Sequence, residues 1–151
     1  MKDHSPDIPQ RRSWMGLLAQ AETGRVADLL DQSGPRPEFQ WLRRPETGSV
    51  MVQGRAGGTG APFNLGEMTV TRCALTLDCG TIGHAYIQGR TKADAEAAAL
   101  VDALMQTDQA ADIQTSVLDP LQAEADKRRA ARAARAAATK VDFFTLVRGE
   151  D

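Results

Sequence analysis

Apolar positions recur with helical spacing near the start of the chain. Trp14, Leu17, Leu18 and Ala21 fall at i, i+3, i+4 and i+7, which predicts a helix over Pro9–Ala21 with one buried stripe. A second, shorter helix follows, with Val26, Leu29 and Leu30 on one face and Thr23 as its candidate cap. Gly34-Pro35-Arg36-Pro37 ends it, because proline cannot continue the ladder. The pattern then shortens to strand length. Phe39–Arg43 is a first predicted strand, Pro45-Glu46-Thr47-Gly48 a turn, and Ser49–Ala56 a second strand. A glycine loop runs from Gly57 to about Asn64. Glu67–Asp78 is a long third strand, Cys79-Gly80 a hairpin turn, and Thr81–Gln88 a fourth strand. Met68 and Val70 lie on one parity of the third strand, whereas Cys73, Leu75 and Leu77 lie on the other. That phase change predicts a bulge near Thr71-Arg72.

Beyond the strands the period returns to helical. Thr91 and Asp94 form a start signal, and Ala93, Ala97, Leu100, Val101 and Leu104 supply a buried face. Asp119-Pro120 reads as a second start, with an aspartate cap and proline in the first turn. Alanine then dominates to about Lys140, a helix about 30 Å long in which Leu121 is the only large apolar side chain. The expected class is α+β. A four-stranded antiparallel meander carries N-terminal helices, a helix after the last strand, and a long Ala/Arg-rich C-terminal helix. Residues 9–110 form the core domain, and residues 111–151 form a helical arm with an apolar tail.

Composition narrows this. Leu, Ile, Val and Phe number 29 of 151 residues, while 24 are Ala, so the core is thin although the net charge is only −2. A thin core with little net charge fits a subunit that completes itself against partners. Charge is divided along the chain. Residues 91–126 carry one basic and eight acidic side chains; residues 127–140 carry six basic ones and no acid. Arg128, Arg132 and Arg135 share a helical face, and Phe143 and Phe144 follow in the tail. These five are the candidate partner-binding residues. No apolar leader is visible in Met1–Pro6, no run of 18 apolar residues exists, and two cysteines make no disulfide framework. A cytoplasmic, reduced protein with no membrane partner is expected.

Candidate chemistry centres on the glycine loop. Gly57, Gly58 and Gly60 tolerate positive φ, and Arg55 and Arg72 lie on either side, an arrangement suited to an anion or to a close-packed partner. Asn64 adds a polar group, and Glu67 is a candidate base unless it simply pairs with Arg72 or Arg55. His84, at mid-strand, is a candidate acid or base or a structural residue. No nucleotide fingerprint is present, and Cys73, Cys79 and His84 lack zinc-like spacing, so no metal is expected.

The stretches RSWMGLLA (from Arg12), RAGGTGAPFNLGEMTVTRC (from Arg55) and GHAYIQGR (from Gly83) resemble the PhnG family, a subunit of the bacterial carbon–phosphorus lyase core complex. The resemblance implies an assembly that takes ATP and a phosphonate such as methylphosphonate. That assembly displaces adenine and forms α-D-ribose 1-methylphosphonate 5-triphosphate. It further implies PhnI, PhnH and PhnJ as partner subunits, with PhnL assisting, and nucleosidase chemistry in PhnI. No cofactor is then expected on this chain alone, and ATP is a substrate of the complex. Two other function classes stay open on the residues: a stand-alone phosphate- or nucleotide-binding enzyme using the glycine loop, and a nucleic-acid-binding module using residues 127–140. With no aromatic residues among the arginines, nucleic acid is not expected.

Overall fold

The computed structural model describes residues 8–141. Helices α1 (Ile8–Ala19) and α2 (Arg25–Ser33) precede strands β1 (Phe39–Arg55), β2 (Pro62–Leu77) and β3 (Ile82–Gln88). Helix α3 (Lys92–Leu104) follows, then α4 (Ala110–Ile113) and α5 (Asp119–Ala138). The sheet is antiparallel in the order β1-β2-β3, with α3 lying across one face.

The sheet therefore has three strands, not the four expected. The two strands placed on either side of Pro45 are one continuous strand. β1 is an edge strand, where a proline without an N–H is tolerated. Pro45 lies inside a register shift between Arg43 and Glu46, so the ladder is already interrupted where the missing donor would matter. Gly48 pairs with Val70 and does not take positive φ, so no turn forms there. The bulge expected at Thr71-Arg72 is also absent from β2. The irregularities fall in β1 at Trp41–Arg43 and Arg43–Glu46, and in β2 between Asn64 and Gly66. The phase change has another cause: Thr71, Cys73, Leu75 and Leu77 face the helices, whereas Met68 and Val70 face the opposite side.

The β2–β3 hairpin matches expectation. Gly80 takes φ of 85° and its N–H donates to the Leu77 carbonyl, while the Leu77 N–H donates to Thr81. The core lies between the sheet and the helices. Leu75, Ala85 and Ile87 meet the alanine-rich face of α3, and Leu18, Val26, Leu30, Val117 and Leu121 close it from the far side. Small residues let α3 sit low on the sheet. Gly83 is the point of closest approach: a Cβ there would overlap the Ala99 carbonyl oxygen and lie 2.9 Å from the Ala103 methyl.

Three capping expectations change. The N-cap position of α2 is Gly24, not Thr23, and no side chain of its own caps it. Neither Thr91 nor Asp119 caps a helix through its side chain. Asp94 reaches across to α2 instead, accepting from the Gly24 N–H at 2.7 Å and the Ala27 N–H at 3.3 Å. It supplies the acceptor that Gly24, without a side chain, does not. Helical backbone runs unbroken from Ala110 through Asp119 into α5, with one wide turn of π spacing at Gln114–Leu118. Pro120 explains the wide turn, since it lacks an N–H and crowds the carbonyl four residues back.

Candidate functional site

The residues around the glycine loop form the end of a long β1–β2 hairpin. β3 pairs with β2 only from Val70 to Thr76, so the hairpin beyond Gly48 and Val70 is a two-stranded ribbon. Seven residue steps separate Gly48 from Arg55, about 23 Å at strand rise. At the tip, Ala56–Gly58 form one tight turn, with Gly57 at φ 61° and Gly58 at φ 81°. The N–H groups of Thr59 and Gly60 both donate to the Ala56 carbonyl. Arg55 donates from Nη1 to the Gly60 carbonyl at 2.9 Å. The loop thus closes on itself, and these groups are spent on the turn.

The two arginines do not flank one opening. Arg55 pairs with Pro62 at the tip, and Arg72 lies ten residues further along β2, about 30 Å away. Arg72 Nε donates to Glu46 Oε1 at 2.7 Å, and Arg43 Nη1 donates to the same oxygen at 2.7 Å. These two hydrogen bonds, Arg72 first, hold the Glu46 carboxyl below its ordinary range. Glu67 accepts from Ser49 Oγ at 3.3 Å rather than from an arginine, and Asn64 accepts from Gln53 at 3.5 Å. His84 sits exposed on β3 opposite Ala74. The candidates are therefore spread along the sheet and do not converge on a common point.

The C-terminal candidates divide as well. Arg128 is tied to the α1–α2 connection, donating to Glu22 Oε1 and the Gln20 carbonyl, both at 3.4 Å. Arg25 and Glu124 pair beside it at 2.8 Å. Beyond Arg128 every described residue is exposed, including Arg132 and Arg135, so about 15 Å of helix projects clear of the body. Phe143 and Phe144 lie outside the described residues.

The family model for phosphonate metabolism protein PhnG matches residues 9–149. The chain belongs to the PhnG family. It is also 44% identical over 144 residues to the α-D-ribose 1-methylphosphonate 5-triphosphate synthase subunit PhnG of Rhizobium meliloti strain 1021, covering 95% of this chain and 92% of that one. In this PhnG-family chain, the stretch from Arg55 to Cys73 that carries the sequence resemblance is the tip of the ribbon and the greater part of β2. Among the described residues no helix is long and apolar enough to cross a membrane.

The strongest polar centre of the PhnG-family fold lies elsewhere, at Asp102 in the middle of α3. Its carboxylate is fully buried and accepts four hydrogen bonds. Arg11 donates from Nε at 3.0 Å and from Nη2 at 2.6 Å, the Trp14 indole at 2.9 Å, and the His84 backbone N–H at 2.8 Å. Arg11 and Gln106 also donate to the Ile82 carbonyl. Together these groups occupy part of the free edge of β3, which would otherwise offer unpaired backbone groups. An aspartate inside the apolar run AAALVDAL was the available signal, because an acid there needs buried partners. The cysteines differ sharply. Burial, with a smaller contribution from Glu96, pushes the Cys73 thiol up to about 12. The exposed Cys79 thiol is lowered, first by its hydrogen bond with the Thr81 hydroxyl.

Proposed function

We propose that this chain is an accessory subunit of α-D-ribose 1-methylphosphonate 5-triphosphate synthase, acting in organic phosphonate catabolism in the cytoplasm. The observation that carries the reading is the 44% identity, over 95% of the chain, to a subunit of that synthase. The geometry supports an accessory rather than a catalytic role. Arg55 is committed to its own turn, Arg72 to Glu46, and His84, opposite Ala74, stands about 40 Å from the loop's end of the sheet by strand rise. PhnI, PhnH and PhnJ are the partners in this reading, with PhnL assisting. The displacement of adenine from ATP by the phosphonate then belongs to PhnI. This chain binds no cofactor of its own and helps to form or hold the site in which ATP reacts.

Omission from a reconstituted assembly tests this. With ATP and methylphosphonate, the purified subunits release adenine only when this chain is present, and the chain by itself releases none. Full adenine release without it, or turnover by the chain alone, overturns the reading.

A further inference from the structure

The sheet face turned away from the helices gathers hydrogen-bond donors around one small side chain. Cross-strand register sets Arg43, Ala74 and His84 in one row and Glu46, Arg72 and Tyr86 in the next. Ala74 holds the middle of the first row with only a methyl group. Arg43 and His84 stand on either side of it, about 10 Å apart at ordinary strand spacing. Arg72 is its neighbour on the same face, two residues back along β2. Arg43, Arg72, His84 and Tyr86 are all exposed. Arg43 reaches this face only because β1 is irregular. Residues 43 and 46 are three apart, so a regular strand would point them to opposite sides. The two register shifts that bracket Arg43 turn it to the side of Glu46, where the two side chains meet.

Charge at this point is unbalanced. Glu46 accepts one hydrogen bond from each guanidinium, both at Oε1, whereas each guanidinium carries five N–H donors. Among the described residues neither guanidinium has another acceptor. Two positive charges against one negative leave an excess of one, on side chains 50% and 52% exposed. Exposed ion pairs contribute little to stability, so stability does not account for a second arginine on the same oxygen. Toward the ribbon, Gly48 adds no side chain and leaves a cleft of about 290 Å³ beside Arg72 and Tyr86, so the Arg72 guanidinium is open on that side too. We propose that this face binds a phosphate-type tetrahedral oxyanion, held over Ala74 by Arg43, Arg72 and the His84 ring. Guanidinium groups match the oxygens of such a group in both charge and geometry. A depression one residue wide, with donors on three sides, takes a single tetrahedral group. Inorganic phosphate and a phosphonate share that chemistry. The inference does not rest on the subunit reading, because the site lies wholly within this chain.

Titration of the full isolated chain at low ionic strength tests it, with inorganic phosphate, methylphosphonate and tripolyphosphate as separate probes. Amide NMR shifts report the place and calorimetry the affinity. Both small anions bind the wild type and move the Ala74 and His84 amides, while Gly57 and Gly58 stay still. Arg43→Gln with Arg72→Gln weakens binding at least ten-fold. Glu46→Gln binds at least as tightly as the wild type, since it removes the opposing charge. Circular dichroism and thermal melting show that each variant is folded. Phosphate without methylphosphonate, or the reverse, identifies which source the site accepts and leaves the shared chemistry standing. Unchanged affinity in a folded double variant overturns the proposal. So does weaker binding by a folded Glu46→Gln, or shifts at Gly57 and Gly58 in place of Ala74 and His84. Binding of tripolyphosphate but of neither small anion also overturns it, since the face then attracts polyanions without forming a site.

Discussion

Gly83→Val leaves no folded chain, and Gly83→Ala lowers the melting temperature by at least about 6 °C. β3 runs beneath α3 at this point, and the atoms a Cβ would meet are backbone and a short methyl: the Ala99 carbonyl oxygen and the Ala103 N and Cβ. None is the far end of a flexible side chain, so the strain is relieved only by lifting α3 from the sheet. Overpacking of a well-packed core costs about 1–3 kcal/mol and occasionally more. A rigid helix as the obstacle places Gly83→Ala at about 3 kcal/mol, or about 6–12 °C for a chain of this size. Lifting α3 further, as valine requires, exposes Leu75, Leu100 and Val101 together, which exceeds what a marginally stable domain tolerates. Gly48→Ala is the control. Gly48 is equally a strand glycine, but a Cβ there meets nothing within 4 Å. Thermal melting of the two alanine variants checks the account, and equal melting temperatures contradict it.

Asp102→Ala is expected to cost about 3–5 kcal/mol, lowering the melting temperature by about 6–20 °C. The loss is not that of one ion pair. Removing the carboxylate strips the Arg11 guanidinium, the Trp14 indole and the His84 N–H of their shared acceptor, and the Trp14 indole is shielded from water. Arg11→Met should cost less, because Asp102 keeps two neutral donors and the Arg11 side chain is 29% exposed. Asp102→Asn falls between them, since it retains acceptor capacity at one atom only. Denaturant unfolding of the three variants gives the ranking. An Asp102→Ala chain as stable as the wild type would show that the carboxylate contributes nothing to holding β3 and α1 on α3.

Much of the architecture was legible in local pattern, and the failures have one character. The α1 stripe, the α2 face, the Cys79-Gly80 turn and the buried face of α3 depend on residues close in sequence, and they appear as read except at two ends: α1 stops at Ala19, short of Ala21, and Ala93 is exposed. The glycine loop was legible as a turn with positive φ at Gly57 and Gly58, although Gly60 does not take it and β2 already begins at Pro62, and the projecting end of α5 was legible as an apolar-poor helix. What was missed depends on partners far along the chain. Pro45 reads as a turn until the strand carrying it proves to be an edge. Asp94 reads as the cap of its own helix, yet the amides it meets belong to α2, about seventy residues earlier. Asp119-Pro120 reads as a start until a wide turn carries the helix through it. Arg55 and Arg72 look paired across a loop, but a hairpin separates them along its length. The parity switch at Val70-Thr71 reads as a bulge, but the ladder is regular there and the switch marks where the apolar face changes sides.

The central claim, resting on the proposed function, is that the helix-backed body is complete in this chain while the two-stranded ribbon beyond Val70 gains protection only in the assembled synthase. Amide hydrogen exchange on the isolated chain and on the assembled synthase tests it most directly. The account predicts fast exchange over residues 49–55 and 62–69 in the isolated chain, slowed at least ten-fold on assembly, with α3 equally protected in both. A ribbon already as protected as α3 in the isolated chain, and unchanged on assembly, would contradict it.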